Sequence, residues 1–191
     1  PSTATPAAAP TATAPAVGGR TGRIEVADSG FAVTLADGWV EIPLDPDDTD
    51  AIVAAIPDEA IAEQLRGQLP ILLMTGVKLW AFDVSATTAG SNLIVITQPG
   101  EVPASLLVSI AEQSAGMIQG IQGDVAVSPV ALDGIDGAIV AFTVAQQGMT
   151  VDQTQVYAST NGVTYIFTFT DPGGSSVDAV EAMLDSIEFL P

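Results

Sequence analysis

The chain has 191 residues, 48% of them hydrophobic, with 4 Lys and Arg against 23 Asp and Glu, a net charge of −19, and neither His nor Cys. Its length suits one folded unit that buries roughly two-thirds of its unfolded surface without a metal or disulfide, and its hydrophobicity excludes a wholly disordered chain. The missing residue types exclude a Ser-His-Asp triad, a Cys nucleophile, a thiolate or imidazole zinc site and a redox disulfide.

Residues 1–20 read as a linker, with 21–191 expected to form a single globular domain. Residues 1–19 contain only Pro, Ala, Thr, Ser, Val and Gly, with prolines at positions 1, 6, 10 and 15. Such a run has no large apolar side chain to bury, and its prolines favour extended polyproline geometry at about 3.1 Å per residue, a tether of roughly 60 Å. A Pro/Thr/Ala spacer ahead of an acidic, Cys-free domain resembles mature bacterial lipoproteins, in which the spacer follows a lipidated cysteine. The resemblance implies a short hydrophobic signal and a Cys directly upstream of Pro1 in the full reading frame. Membrane association is expected through that anchor only. The apolar run over 69–82 is interrupted by Pro70, Gly76 and Lys78, short of the ~20 residues a spanning helix needs.

Ile24 and Val26, a turn at Asp28-Ser29-Gly30, and the alternation of Phe31, Val33 and Leu35 with Ala32, Thr34 and Ala36 predict an opening hairpin. Over 50–69, Ile52, Val53, Ile56, Ile61 and Leu65 recur at helical spacing, with Pro57 bending or restarting the run. Residues 77–86 and 92–98 are rich in β-branched and aromatic side chains and read as two strands. Pro103 suits a first helical turn, and Leu106, Leu107, Ile110, Met117 and Ile118 form the apolar stripe of the helix that follows.

Four strands are expected next, over 125–132, 138–144, 151–158 and 163–170. Asn161-Gly162 has the residues of a type I′ hairpin turn. Val163, Tyr165, Phe167 and Phe169 alternate with Thr164, Ile166, Thr168 and Thr170, so the last strand is expected to be central. Ser175 caps a closing helix whose stripe is Val177, Val180, Leu184 and Ile187. The order ββ-α-ββ-α-ββββ-α, with short turns between neighbouring strands, predicts an α+β fold. A mostly antiparallel sheet of about six to eight strands is flanked by helices.

The segment Phe31-Ala32-Val33-Thr34-Leu35-Ala36-Asp37-Gly38-Trp39 and the ending Met183-Leu184-Asp185-Ser186-Ile187-Glu188-Phe189 resemble the borders of a PsbP-like domain. Leu79-Trp80-Ala81-Phe82-Asp83 and Ser91-Asn92-Leu93-Ile94-Val95 are similar to the corresponding strands of LpqN-type lipoproteins of actinobacteria. Ala36 departs from the proline that such domains often carry before the Trp. The resemblance implies a PsbP-like sandwich used for binding and accessory roles, with no shared catalytic motif to carry over.

Asp45, Asp47, Asp48 and Asp50 place four carboxylates in six positions, the oxygen-rich pattern that suits a hard divalent cation such as calcium. The spacing fails as an EF-hand: no Gly stands at the sixth position and Ile56 occupies the twelfth. A solvated loop whose Thr49 or Asp48 caps the next helix is the favoured reading. Asp133-Gly134 and Asp136-Gly137 read as two successive tight turns. Trp39 and Trp80 are expected in the core rather than on a sugar-stacking platform. Tyr157, beside Gln153 and Gln155, reads as a solvent-facing hydrogen-bonding group. No catalytic residue and no cofactor is expected: a carboxylate pair has no recognisable context, and Lys78 lacks a neighbouring Ser-x-x-Lys pattern.

All four cations, Arg20, Arg23, Arg66 and Lys78, precede residue 79. Nucleic acid and anionic lipid surfaces both need basic groups that this chain lacks. The combined expectation is a non-catalytic extracytoplasmic binding or accessory protein of the bacterial envelope, with a protein partner. A carrier of a small apolar or glycolipid ligand and a hydrolase using two carboxylates are the alternatives.

Overall fold

The computed structural model describes residues 19–44, 62–63, 66–67, 74–85, 90–146, 149–174 and 176–191. The strands are β1 (Arg23–Val26), β2 (Phe31–Thr34), β3 (Trp39–Glu41), β4 (Val77–Asp83), β5 (Asn92–Pro99), β6 (Ile121–Leu132), β7 (Ile135–Gln146), β8 (Met149–Thr160), β9 (Val163–Pro172) and β10 (Glu188–Phe189). The α-helices are α1 (Ala104–Gly116) and α2 (Val177–Asp185). Of the helix expected over 50–69, positions 62–63 and 66–67 are described and are helical. The rest of that run, residues 1–18 of the linker and Ser175 lie outside the described residues.

Seven strands form one antiparallel sheet in the order β3-β4-β5-β9-β8-β7-β6, and β1-β2-β10 form a second. The strand expected to be central is central: β9 is fourth of the seven. Its alternation separates the two faces of the sheet. Tyr165, Phe167 and Phe169, with Leu79, Leu93, Val95 and Val156, point to the front face, where the small sheet and α2 cover them through Phe31, Val33, Val180 and Met183. The ring of Phe31 meets Phe167 edge-on at 5.6 Å, and Phe189 lies 5.0 Å from Tyr165, so aromatic contacts join the two sheets. On the back face Trp80 and Phe82 pack with Ile42 and Ala62, while Ala138, Val140, Phe142 and Tyr157 lie beneath α1. The fold is α+β, helix-covered on both sides of the large sheet.

Asn161-Gly162 turns with φ of 55° and 77°, and Asp133-Gly134 with 48° and 76°, both matching a type I′ connection. The repeated Asp-Gly is therefore one turn, not two, and Asp136-Gly137 belongs to β7. Gly137 serves a different need: a Cβ there would stand 2.5 Å from the Tyr157 carbonyl oxygen on β8.

Three local expectations are corrected. Helix α1 buries Leu107, Ala111 and Ala115 at i, i+4 and i+8, whereas Leu106 is 52% and Met117 73% exposed. Small residues let the helix approach the sheet closely, and the bulky ones move to its flank. In α2 the N-cap residue is Ser176, whose hydroxyl makes no cap; the Asp171 carboxylate accepts the Ser176 N–H instead, at 2.8 Å. Val177 is exposed, and Ile187, though buried, lies beyond the end of the helix. Strands β3 and β10, three and two residues long, are too short to carry a period and were not anticipated.

Candidate functional site

The back face of the central strands carries an uncharged polar strip. Pairing sets Gln153 opposite Thr170 and Thr170 opposite Asn92; one step along, Gln155 faces Thr168, which faces Ile94, which faces Trp80. Gln153, Gln155, Thr168, Thr170 and Asn92 are all half-buried. In a chain with 23 carboxylates, none of the back-face positions of β5, β8 or β9 is charged. The apolar cluster of β4 and β5 lies on one side of the strip and the cluster beneath α1 on the other.

Hydrogen bonding divides the strip into a closed end and an open end. At the closed end Ser159 accepts the Val102 N–H at 2.8 Å and shares a 3.0 Å bond with Thr164, whose hydroxyl donates to the Gly100 carbonyl at 2.9 Å. In the middle, the Tyr157 hydroxyl donates to Gln155 Oε1 at 2.8 Å. Burial raises the pKa of this phenol, and a hydrogen bond with Ser114 of α1 opposes the rise. At the open end the side chains of Gln153, Thr168 and Thr170 have no hydrogen-bond partner among the described residues. The Trp80 indole N–H is fully buried and likewise unpartnered. A buried donor left unpaired is costly, whereas the half-buried groups of the open end stay accessible to water or a ligand.

Helix α1 gives this strip an apolar flank. Ser114 fixes which side of the helix meets β8, and Ile110 and Met117 lie beside it at i−4 and i+3, with Leu106 one turn further back. Leu106 and Met117 are exposed and Ile110 half-buried on the side of α1 and its C-cap that carries Ser114. Such a surface suits a molecule with hydroxyl or amide groups next to a hydrocarbon segment. Among the described residues it brings together no nucleophile beside a base and no cation for phosphate.

The residues singled out in the sequence fall as follows. Asp45, Asp47, Asp48 and Asp50 lie outside the described residues. Asp133 accepts the Phe189 N–H at 3.0 Å, tying the β6–β7 turn to β10. Trp39 and Trp80 are core residues, as expected. Tyr157, expected in solvent, is 3% exposed, because α1 lies across it. Asp152 and Asp171 are direct partners on the front face and line a depression of about 170 Å³ with Glu181. That volume is below the usual 300–1,000 Å³ of a ligand site. Both oxygens of Asp171 are engaged, by Ser91 and by the Ser176 N–H. The strip itself was not anticipated. Its signal was the presence of threonines and glutamines at positions where a central strand covered by helices calls for apolar residues.

No protein-family model matches the sequence, and no curated protein does. Among solved structures, LpqN of Mycobacterium tuberculosis, described as involved in cell envelope biogenesis, superposes with a TM-score of 0.56 at 12% identity, over 88% of this chain and 90% of that one. The fold is LpqN-like. A Bacteroides thetaiotaomicron protein matches 90% of this chain with a TM-score of 0.55 at 12% identity, and the chain spans about half of its length, 50%. The PsbP of the cyanobacterium Synechocystis gives 0.48 at 13% identity over 87% and 91% of the two chains, too loose to add to the argument. At such identities the likeness fixes the arrangement of strands and helices and nothing finer.

Proposed function

We propose that the protein is a non-catalytic binding protein of the bacterial cell envelope, acting outside the cytoplasm as an accessory component and held near the membrane by its Pro/Thr/Ala segment. The observation that carries the binding reading is the uncharged polar strip of Gln153, Gln155, Thr168 and Thr170 with its apolar flank on α1. The likeness to LpqN, itself involved in cell envelope biogenesis, supports the envelope setting. No helix of the described residues is long and apolar enough to cross a membrane.

The same strip favours a carried ligand over a purely protein–protein contact. Paired amide and hydroxyl groups recognise a polyhydroxylated headgroup without charge, and Leu106, Ile110 and Met117 accept a hydrocarbon chain. Titration with octyl glucoside below its micelle concentration, followed by the fluorescence of Trp80 beside the strip, is expected to saturate. The double variant Gln155→Leu, Thr168→Val is expected to weaken that binding about tenfold or more, through the loss of two hydrogen-bonding groups. A linear response, or one that the variant leaves unchanged, overturns the reading.

A further inference from the structure

Three of the four cations are neutralised within the fold. Arg20 pairs with Glu41, Arg23 with Glu25 at 2.9 Å and Glu188 at 2.7 Å, and Arg66 with Glu63 at 3.1 Å. Lys78 alone has no carboxylate partner among the described residues. Among the described residues, Lys78 is thus held more than 4 Å from any carboxylate by the fold.

The backbone supplies the reason. Val77 pairs with Ile96 and Leu79 with Val95, so Lys78 is the extra residue of a β-bulge in β4. A bulge breaks the alternation and re-aims the side chain. Lys78 thereby lines a depression of about 320 Å³ at the rim between the two sheets, on the front face, opposite to the polar strip. Ser29, Thr97, Asn161 and Tyr165 line it too, each with a polar hydrogen to donate. Asn161 donates to the Leu190 carbonyl and Tyr165 to the Gly30 carbonyl only at 3.4 Å, long bonds that a stronger acceptor can replace. Val163 and Leu190 add an apolar wall, and Asp28 and Pro191 complete the lining.

We propose that this depression binds a short-chain monocarboxylate. The Lys78 ammonium takes one carboxylate oxygen in a charge-assisted hydrogen bond, the hydroxyl and amide donors take the other, and Val163 and Leu190 meet the alkyl chain. One cation matches one negative charge. Asp28 and the net charge of −19 act against a dianion such as phosphate. The volume lies at the small end of the range for ligand sites, which limits the chain length.

The test is an amide-resolved NMR titration of the full chain with sodium butyrate, at ionic strength held constant with sodium chloride. Saturating shifts are expected at the amides of Ser29, Lys78 and Thr97. Lys78→Met is expected to weaken the binding about tenfold or more, as loss of a charge-assisted hydrogen bond implies, while Lys78→Arg retains it and neutral butyramide produces no saturation. Shifts that do not saturate, that sodium chloride alone reproduces, or that persist in Lys78→Met overturn the proposal. Because the polar strip is on the other face, loss of butyrate binding leaves the octyl glucoside result untouched, and the two readings fail separately.

Discussion

Ser91 donates its hydroxyl to Asp171 Oδ1 at 2.8 Å, although the two stand 80 residues apart in the chain. The other oxygen of Asp171 accepts the Ser176 N–H, and the Ser91 and Ser176 hydroxyls lie 2.8 Å from one another. One buried carboxylate thus joins the start of β5, the end of β9 and the first turn of α2. It also places negative charge at the positive end of the α2 dipole.

An Asn at 171 can keep an oxygen on the Ser176 N–H only by donating its NH2 to the Ser91 hydroxyl, which must then reverse, and both bonds become neutral. Exchanging two charge-assisted hydrogen bonds for neutral ones costs about 1–3 kcal/mol. Urea denaturation of Asp171→Asn is expected to lose stability in that range, with Ser91→Ala at or below its lower end. An unchanged midpoint for Asp171→Asn would show the cluster to be dispensable.

The close seat of α1 makes a contrast between its two stripes. Ala111→Leu forces a larger side chain between helix and sheet, where overpacking typically costs about 1–3 kcal/mol. Met117→Ser, on the exposed flank, is expected to stay within about 0.5 kcal/mol of the parent. Chemical denaturation of both variants checks the assignment, and a larger loss in Met117→Ser than in Ala111→Leu would reverse it.

Two glycines of the same hairpin should fail for different reasons. Gly137→Ala drives a Cβ to 2.5 Å from the Tyr157 carbonyl oxygen and should loosen β7 from β8. Gly134→Ala meets nothing within 4 Å but must hold φ near 76°, at about 1–2 kcal/mol. Hydrogen exchange is expected to report weaker protection of the β7–β8 pairing in the first variant and of the turn alone in the second.

Burial raises the pKa of both Tyr157 and Tyr165. For a group whose folded pKa lies above its unfolded value, the associated stability is complete below the unfolded value, about 10 for tyrosine, and is lost as pH rises through the folded one. With no His or Cys to titrate, melting temperature is expected to change little between pH 7 and 9 and to fall at higher pH. Phenolate absorbance should rise later than in the unfolded chain. Coincident curves for folded and unfolded protein would contradict the burial of these hydroxyls.

A net charge of −19 predicts stabilisation by salt. Screening shortens the Debye length from ~10 Å at 0.1 M to ~3 Å at 1 M and relieves mutual repulsion of the carboxylates. The opposing loss is small, because exposed pairs such as Arg23–Glu25 contribute little. Melting temperature is expected to rise with sodium chloride; a fall would mean that the ion pairs outweigh the repulsion.

The sequence by itself determined what neighbouring residues decide. Positive φ at Asn161-Gly162 follows from the two residue types, and the Tyr-Ile-Phe-Thr-Phe-Thr alternation marks β9 as a central strand. The same local reasoning excluded imidazole and thiolate chemistry. It also placed Trp39 and Trp80 in the core.

Tertiary structure decided what depends on distant residues meeting. The stripe that α1 buries is set by how near the sheet lies, which favours Ala111 and Ala115 over the bulkier Leu106 and Met117. Tyr157 is covered because α1 crosses it, and the strip of Gln153, Gln155, Thr168 and Thr170 exists only through the register of β8 against β9. A one-residue bulge in β4 turns Lys78 toward the rim between the two sheets, without an ion pair among the described residues. Side-chain period is local, but cross-strand register and helix seating minimise free energy over the whole fold, so no window of sequence contains them.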